Sequence, residues 1–126
     1  MAGYSGTPLP QKLGIKDDSV VCVINAPASF AITGASLRGK QLFDVIVVFV
    51  TSKADLVSRI EMLRPRMKPA CGLWIGFPKK ASGLQTDVTE HVVREVALPT
   101  GLVDNKVCAI DDVYTGLRLV IRKENR

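Results

Sequence analysis

Histidine and tryptophan each occur once in this sequence, and aromatic residues make up only 6% of its 126 positions. A zinc site needs paired cysteines or close histidines. The single His91 and the wide spacing of Cys22, Cys71 and Cys108 provide neither, so no metal is expected. Each cysteine sits inside an apolar run, the pattern of reduced core thiols in a cytoplasmic protein. No apolar run approaches the roughly eighteen residues of a membrane span, so no membrane role is expected. The opening "MAGYSGTPLPQKLG" has neither a charged leader nor an apolar core, so a secretory signal is not expected either.

Aromatic poverty also argues against nucleic acid, whose binders cluster basic residues on one face and often interleave aromatics. Here the 17 Lys and Arg residues are spread along the chain, and the net charge of +5 reads first as a mildly basic surface. The same charge favours an anionic partner over a cationic one. Repeats, linkers and low-complexity segments are missing too, and the length suits one domain over 1–126. Residues 1–7 read as a loose arm.

What is present is a set of continuous apolar runs. "SVVCVI" (19–24), "FDVIVVFV" (43–50) and "CGLWIGF" (71–77) do not alternate with polar residues, which marks strands covered on both faces. A short helix is expected within 8–16, stopped by Gly14. Ser52 with Asp55 three residues on opens a helix over 53–66, whose Leu56, Ile60, Leu63 and Met67 share one face. Asp87 with Glu90 opens another, with Val88, Val92, Val93 and Val96 on its apolar side. "LVDNKVCAI" (102–110) and "GLRLVIRKE" (116–124) are too close for a crossover helix and form an antiparallel hairpin. The expected fold is α/β: a three-layer, Rossmann-like, mostly parallel sheet of about five strands with a C-terminal antiparallel hairpin. Residues 26–42 contain no recognisable strand. Val21, Val23, Val45, Val47, Phe49, Leu73 and Ile75 are the expected core, with the three thiols and Trp74.

In open α/β sheets, ligands lie beyond the carboxyl ends of the strands. Three loops converge there: one at Asn25, one at Ser52, and "PKKASG" (78–83). Asn25, Ser52, Lys79, Lys80 and Ser82 are therefore the candidate anion crevice, the lysines supplying mobile point charges. The bland alternative is that Ser52 only caps its helix and the lysines are solvated. No coherent acid–base constellation emerges, so the catalytic residues are unknown. His91 falls on the polar side of its helix. Asp104, Asp111 and Asp112 read as hairpin-turn residues. Arg118, Arg122, Lys123 and Arg126 read as a charged guard on a solvated sheet edge.

The segments "KLGIKDDSVVCVINAP", "FDVIVVFVTSKADL", "LRPRMKPACGLWIGFPKKASG", "TDVTEHVVREVALPTGLVDNKVCAID" and "GLRLVIRKE" resemble a small bacterial family described only as a domain of unknown function. That family in turn resembles a truncated class I methyltransferase. The resemblance implies that Val20–Ile24 stands for the first strand, Phe43–Val50 for the fourth, Cys71–Phe77 for the fifth and the hairpin for the last two, giving the strand order 1-4-5-7-6. It departs from the pattern where the cofactor would be held. A methyltransferase follows its first strand with a glycine-rich turn, whereas this chain has Asn25-Ala26-Pro27-Ala28-Ser29. S-adenosylmethionine is not expected as a cofactor, nor is any other. The expected function is a non-enzymatic binding or regulatory module for a small anionic ligand or a protein partner. The alternative is a small transferase acting on a nucleotide-like or phosphate-bearing substrate.

Overall fold

The computed structural model describes residues 8–35, 37 and 39–125. The expected arm at 1–7 and Arg126 lie outside the described residues. Among the described residues, five strands form one sheet: β1 (Val21–Ile24), β2 (Phe43–Phe49), β3 (Met67–Pro78), β4 (Leu102–Ala109) and β5 (Tyr114–Ile121). Their order is β1-β2-β3-β5-β4. β1, β2 and β3 are parallel, and β5 runs antiparallel to both β3 and β4. The expected mostly parallel sheet with an antiparallel hairpin is the one observed.

A four-residue helix, α1 (Leu9–Lys12), precedes the sheet, and two longer helices, α2 (Lys53–Leu63) and α3 (Glu90–Ala97), cover one of its faces. Leu56, Ile60 and Leu63 of α2 and Val93 and Ala97 of α3 pack on Ile46, Val48, Leu73, Ile75 and Leu119. The other face carries no long helix among the described residues. Short α1 and the loop after β1 cover it, bringing Leu9, Leu13, Ile15, Phe30 and Ile32 over Val45, Val47, Phe49 and Trp74. Both faces of the central strands are thus buried, which is why the runs in β2 and β3 do not alternate.

Local boundaries follow the side chains. Ser52 caps α2 by accepting from the Asp55 N–H at 3.1 Å. That helix stops at Leu63 and not at 66, because Pro65 cannot continue it and a 3₁₀ turn takes over Arg64–Arg66. β3 starts there, four residues before the expected Cys71. It ends at Pro78, which has no N–H to extend the ladder. α3 starts two residues later than expected, with Thr89 as its cap in place of Asp87. Asp87 instead accepts the Lys53 N–H at 2.7 Å, so it serves the start of α2. The hairpin turn is closed by Asp111, whose carboxylate accepts from Val113 N and Tyr114 N. β5 is not an edge strand. Arg118 lies on an inner strand between β3 and β4, which overturns its reading as an edge guard. The edge is β4, and a register irregularity between Asp104 and Lys106 interrupts it, as bulges often do at sheet edges. Val23, expected in the core, is only partly buried because β1 is the other outer strand.

The expected burial of the thiols holds: Cys22 and Cys71 are fully enclosed and Cys108 nearly so. Burial is the main cause that pushes the Cys71 thiol up from 9.0 to about 12, with the Asp44 charge adding to it. The unfolded chain therefore loses this proton first as pH rises. Cys71 stabilises the fold fully below about pH 9, and the contribution falls by about 1.4 kcal/mol per pH unit toward 12. Urea unfolding of the parent and of Cys71→Ala should diverge between pH 8 and 10.5, with the parent losing stability faster. Parallel curves would contradict the assignment.

No helix among the described residues is long and apolar enough to cross a membrane.

Candidate functional site

At the carboxyl end of β3 the backbone is pinned before it leaves the sheet. Pro78 pairs with Tyr114, and the Lys79 N–H donates to the Val113 carbonyl at 2.8 Å. A 3₁₀ turn over Lys80–Ser82 follows, closed by Gly83 at φ 77°, a left-handed conformation suited to glycine. The Ser82 hydroxyl donates to the Lys79 carbonyl at 2.7 Å and accepts from Leu84 N at 3.2 Å. Lys79 and Lys80 are thus presented from a fixed turn, not from a slack loop.

They open onto a cleft of about 610 Å³ between the end of β3, the start of α3 and β5. Phe77, Pro78 and Val88 give it apolar walls. Lys79, Lys80, His91 and Arg94 bring positive or protonatable groups, with Glu90 as the carboxylate among them. Arg94 is committed elsewhere: its guanidinium meets Asp104 at 3.0 Å and Glu90 at 3.8 Å. The hydrogen bond and charge of Asp104 raise its pKa further, so it stays charged. His91 is 85% exposed and lies 3.7 Å from Glu95. Glu95 is itself held below the usual carboxylate range by its hydrogen bond to Lys53.

Of the five candidate residues, Lys79 and Lys80 line this cleft, and Asn25, Ser52 and Ser82 are not among its lining residues. The hydroxyls of Ser52 and Ser82 are used locally, as a helix cap and a turn bond. Asn25, at φ 61°, donates its side-chain N–H to the Phe49 carbonyl at 3.1 Å and so ties the ends of β1 and β2 together. The contribution of α3 was missed in the sequence. Thr89, Glu90, His91 and Arg94 lie at the start of α3 and along the flank of its buried Val93–Ala97 face, and only packing shows that this flank meets the lysine turn.

Beyond the ends of β1 and β2 aromatic rings take part of the space, and a cleft of about 630 Å³ lined by Ser29, Phe30, Ile32, Ile110 and Asp111, among others, stays open beside them. The Phe30 and Phe49 rings meet edge-on at 5.1 Å, and Phe49 meets Tyr114 at 5.2 Å. Gly76 leaves the room that Phe49 takes: a Cβ there would lie 2.8 Å from its ring. On the outer side of β1, where another strand could add, the described residues make a single parallel bridge, from Cys22 to Ala35. The described residues of 26–42, expected to hold no strand, contain this one bridge.

This architecture recurs in solved structures. LepI in complex with SAM matches with a TM-score of 0.56 and 12% identity over 90% of this chain. A LepI variant in complex with SAH and a substrate analogue gives 0.58 and 13% over the same share. Magnesium protoporphyrin IX methyltransferase from Synechocystis PCC 6803 with bound SAM gives 0.52 and 14% over 68% of this chain. The fold is methyltransferase-like. This chain spans only 39% to 42% of the length of those proteins. No protein-family model matches the sequence, and neither does any curated protein.

The methyltransferase-like fold implies S-adenosylmethionine, and the residues present do not fit it. The turn after β1 carries Ala26, Pro27 and Ala28 where a close backbone approach calls for glycine. The edge-to-face Phe30–Phe49–Tyr114 cluster takes part of the space beside it. The described residues next to Ala35 in the sequence, Thr33, Gly34 and Leu37, offer no carboxylate for ribose hydroxyls.

Proposed function

We propose that this protein is a non-enzymatic binding or regulatory module on a methyltransferase-like scaffold, taking a small anionic ligand between the Lys79–Lys80 turn and α3. The observation that carries this reading is the placement of two adjacent lysines on a pinned turn, over a cleft with Phe77, Pro78 and Val88 as apolar walls. Ligand sites combine such walls with a few placed polar groups. Lysine ammonium groups suit phosphate or carboxylate oxygens as point charges.

The turn after β1, with Ala26, Pro27 and Ala28 in place of glycine, argues against a methyl donor in this reading. Without a donor, the transferase alternative needs another chemistry. His91 and Glu90 line the same cleft and are the titratable pair such an enzyme would use.

A thermal-shift screen with nucleotides, sugar phosphates and dicarboxylates tests the proposal, since a ligand selective for the native state raises Tm. Changing Lys79 and Lys80 together to Ala should abolish the shift while changing stability by no more than about 0.5 kcal/mol, as for exposed side chains. A ligand that protects the double variant as well as the parent would place binding elsewhere. Turnover of a hit that disappears in His91→Ala would favour the enzyme.

A further inference from the structure

We propose a second binding site at the opposite, amino end of the sheet, for a small carboxylate held by Arg118. A cleft of about 500 Å³ opens there, lined by Lys16, Asp18, Ser19, Asp44, Lys68 and Arg118, among others. Its character differs from that of the lysine cleft, because its walls are mostly polar and its cations come from three separate segments.

Arg118 sits directly across from Trp74 in the β3–β5 register. Its guanidinium lies over Gly72, where a side-chain carbon would collide with it. The bare strand at Gly72 is therefore a slot that fixes the plane of the guanidinium. The hydrogen bond it makes there, to Asn105 Oδ1, is long at 3.5 Å. Most of its five N–H donors remain for a ligand. A planar fork held in one orientation matches a carboxylate in a two-bond arrangement, which a flexible ammonium cannot copy.

The carboxylates in the cleft do not cancel this. Asp44 accepts from Val20 N at 2.7 Å and meets Lys68 at 3.1 Å, so its charge is spent within the protein. Those contacts hold it below the usual carboxylate range, the Val20 N–H being the largest cause. Lys16 and Arg118 then face Asp18, leaving a net positive opening. This site stands independently of the Lys79–Lys80 reading.

The test is an NMR titration of isotope-labelled protein with succinate, alongside inorganic phosphate. Succinate should give saturable shifts at Ser19, Gly72 and Arg118. Arg118→Gln should weaken its binding by about ten- to hundredfold, the loss expected for hydrogen bonds to a charged group. Arg118→Lys keeps the charge and should still lose most of the affinity. Gly72→Ala, which displaces the guanidinium without removing it, should do the same and keeps the test open if Arg118 variants fail to fold. The Lys79→Ala, Lys80→Ala double variant should bind succinate within about twofold of the parent, as expected for a distant independent site. Lack of saturation by about 10 mM, far weaker than a specific site, would overturn the proposal. So would phosphate binding in preference to succinate, unchanged affinity in Arg118→Gln, or loss of binding in the lysine double variant.

Discussion

Replacing Trp74 with alanine should destabilise the protein by about 3–5 kcal/mol, the range for emptying a large aromatic site in a core. Trp74 is completely buried at the centre of β3. It lies between Val47 of β2 and Arg118 of β5 on the face that, among the described residues, no long helix covers. Its indole N–H donates to the Leu13 carbonyl at 3.0 Å, so one side chain joins the sheet to the segment that shields it. Alanine would leave a cavity and a buried carbonyl without its donor, a further cost of about 1–3 kcal/mol where water cannot reach. Trp74→Phe keeps most of the volume and loses only the donor, so it should cost less than half as much. Urea unfolding followed by far-UV circular dichroism measures both. A loss below about 1 kcal/mol for alanine would show that the N-terminal segment does not depend on this anchor.

The second large effect is expected at Phe49. Phe49→Ala should cost about 3–4 kcal/mol, because the ring is nearly fully buried, fills the space left by Gly76 and contacts both Phe30 and Tyr114. Each edge-to-face contact adds about 0.5–1.5 kcal/mol beyond burial. Phe49→Leu retains part of the filling and should be intermediate. The same urea experiment separates them, and the variant also tests whether the ring is part of the core. If Phe49→Ala is nearly neutral, the ring is a loose lid over an empty site and not part of the core.

Much of the sheet was legible because its signals are local. The runs 43–50 and 71–77 and the Ser52–Asp55 cap depend on neighbours within a few residues. The strand order rested on the resemblance, which assigned Phe43–Val50 and Cys71–Phe77 to adjacent strands. Reading failed where the partner is distant. Asp87 has the spacing of a cap for its own segment, yet its carboxylate serves Lys53, 34 residues earlier. Thr89, two positions on, took the capping role because its hydroxyl meets Val92 N. Arg118 looked like an edge residue by alternation alone, and only the insertion of β5 beside β3 shows why Gly72 lies beneath its guanidinium. Asn25 and Ser52 were placed at the right end of the sheet. Their own hydrogen bonds, to Phe49 and Asp55, are tertiary and local details that composition cannot reveal.

The scaffold is methyltransferase-like, and the proposed module does not use the methyl donor. Calorimetric titration of the protein with S-adenosylmethionine tests it most directly. The turn without glycine and the rings packed beside it predict no saturable heat up to about 1 mM, the weak end of small-ligand binding. Stoichiometric binding at micromolar affinity, lost when the Asn25–Ser29 turn is altered, would contradict it.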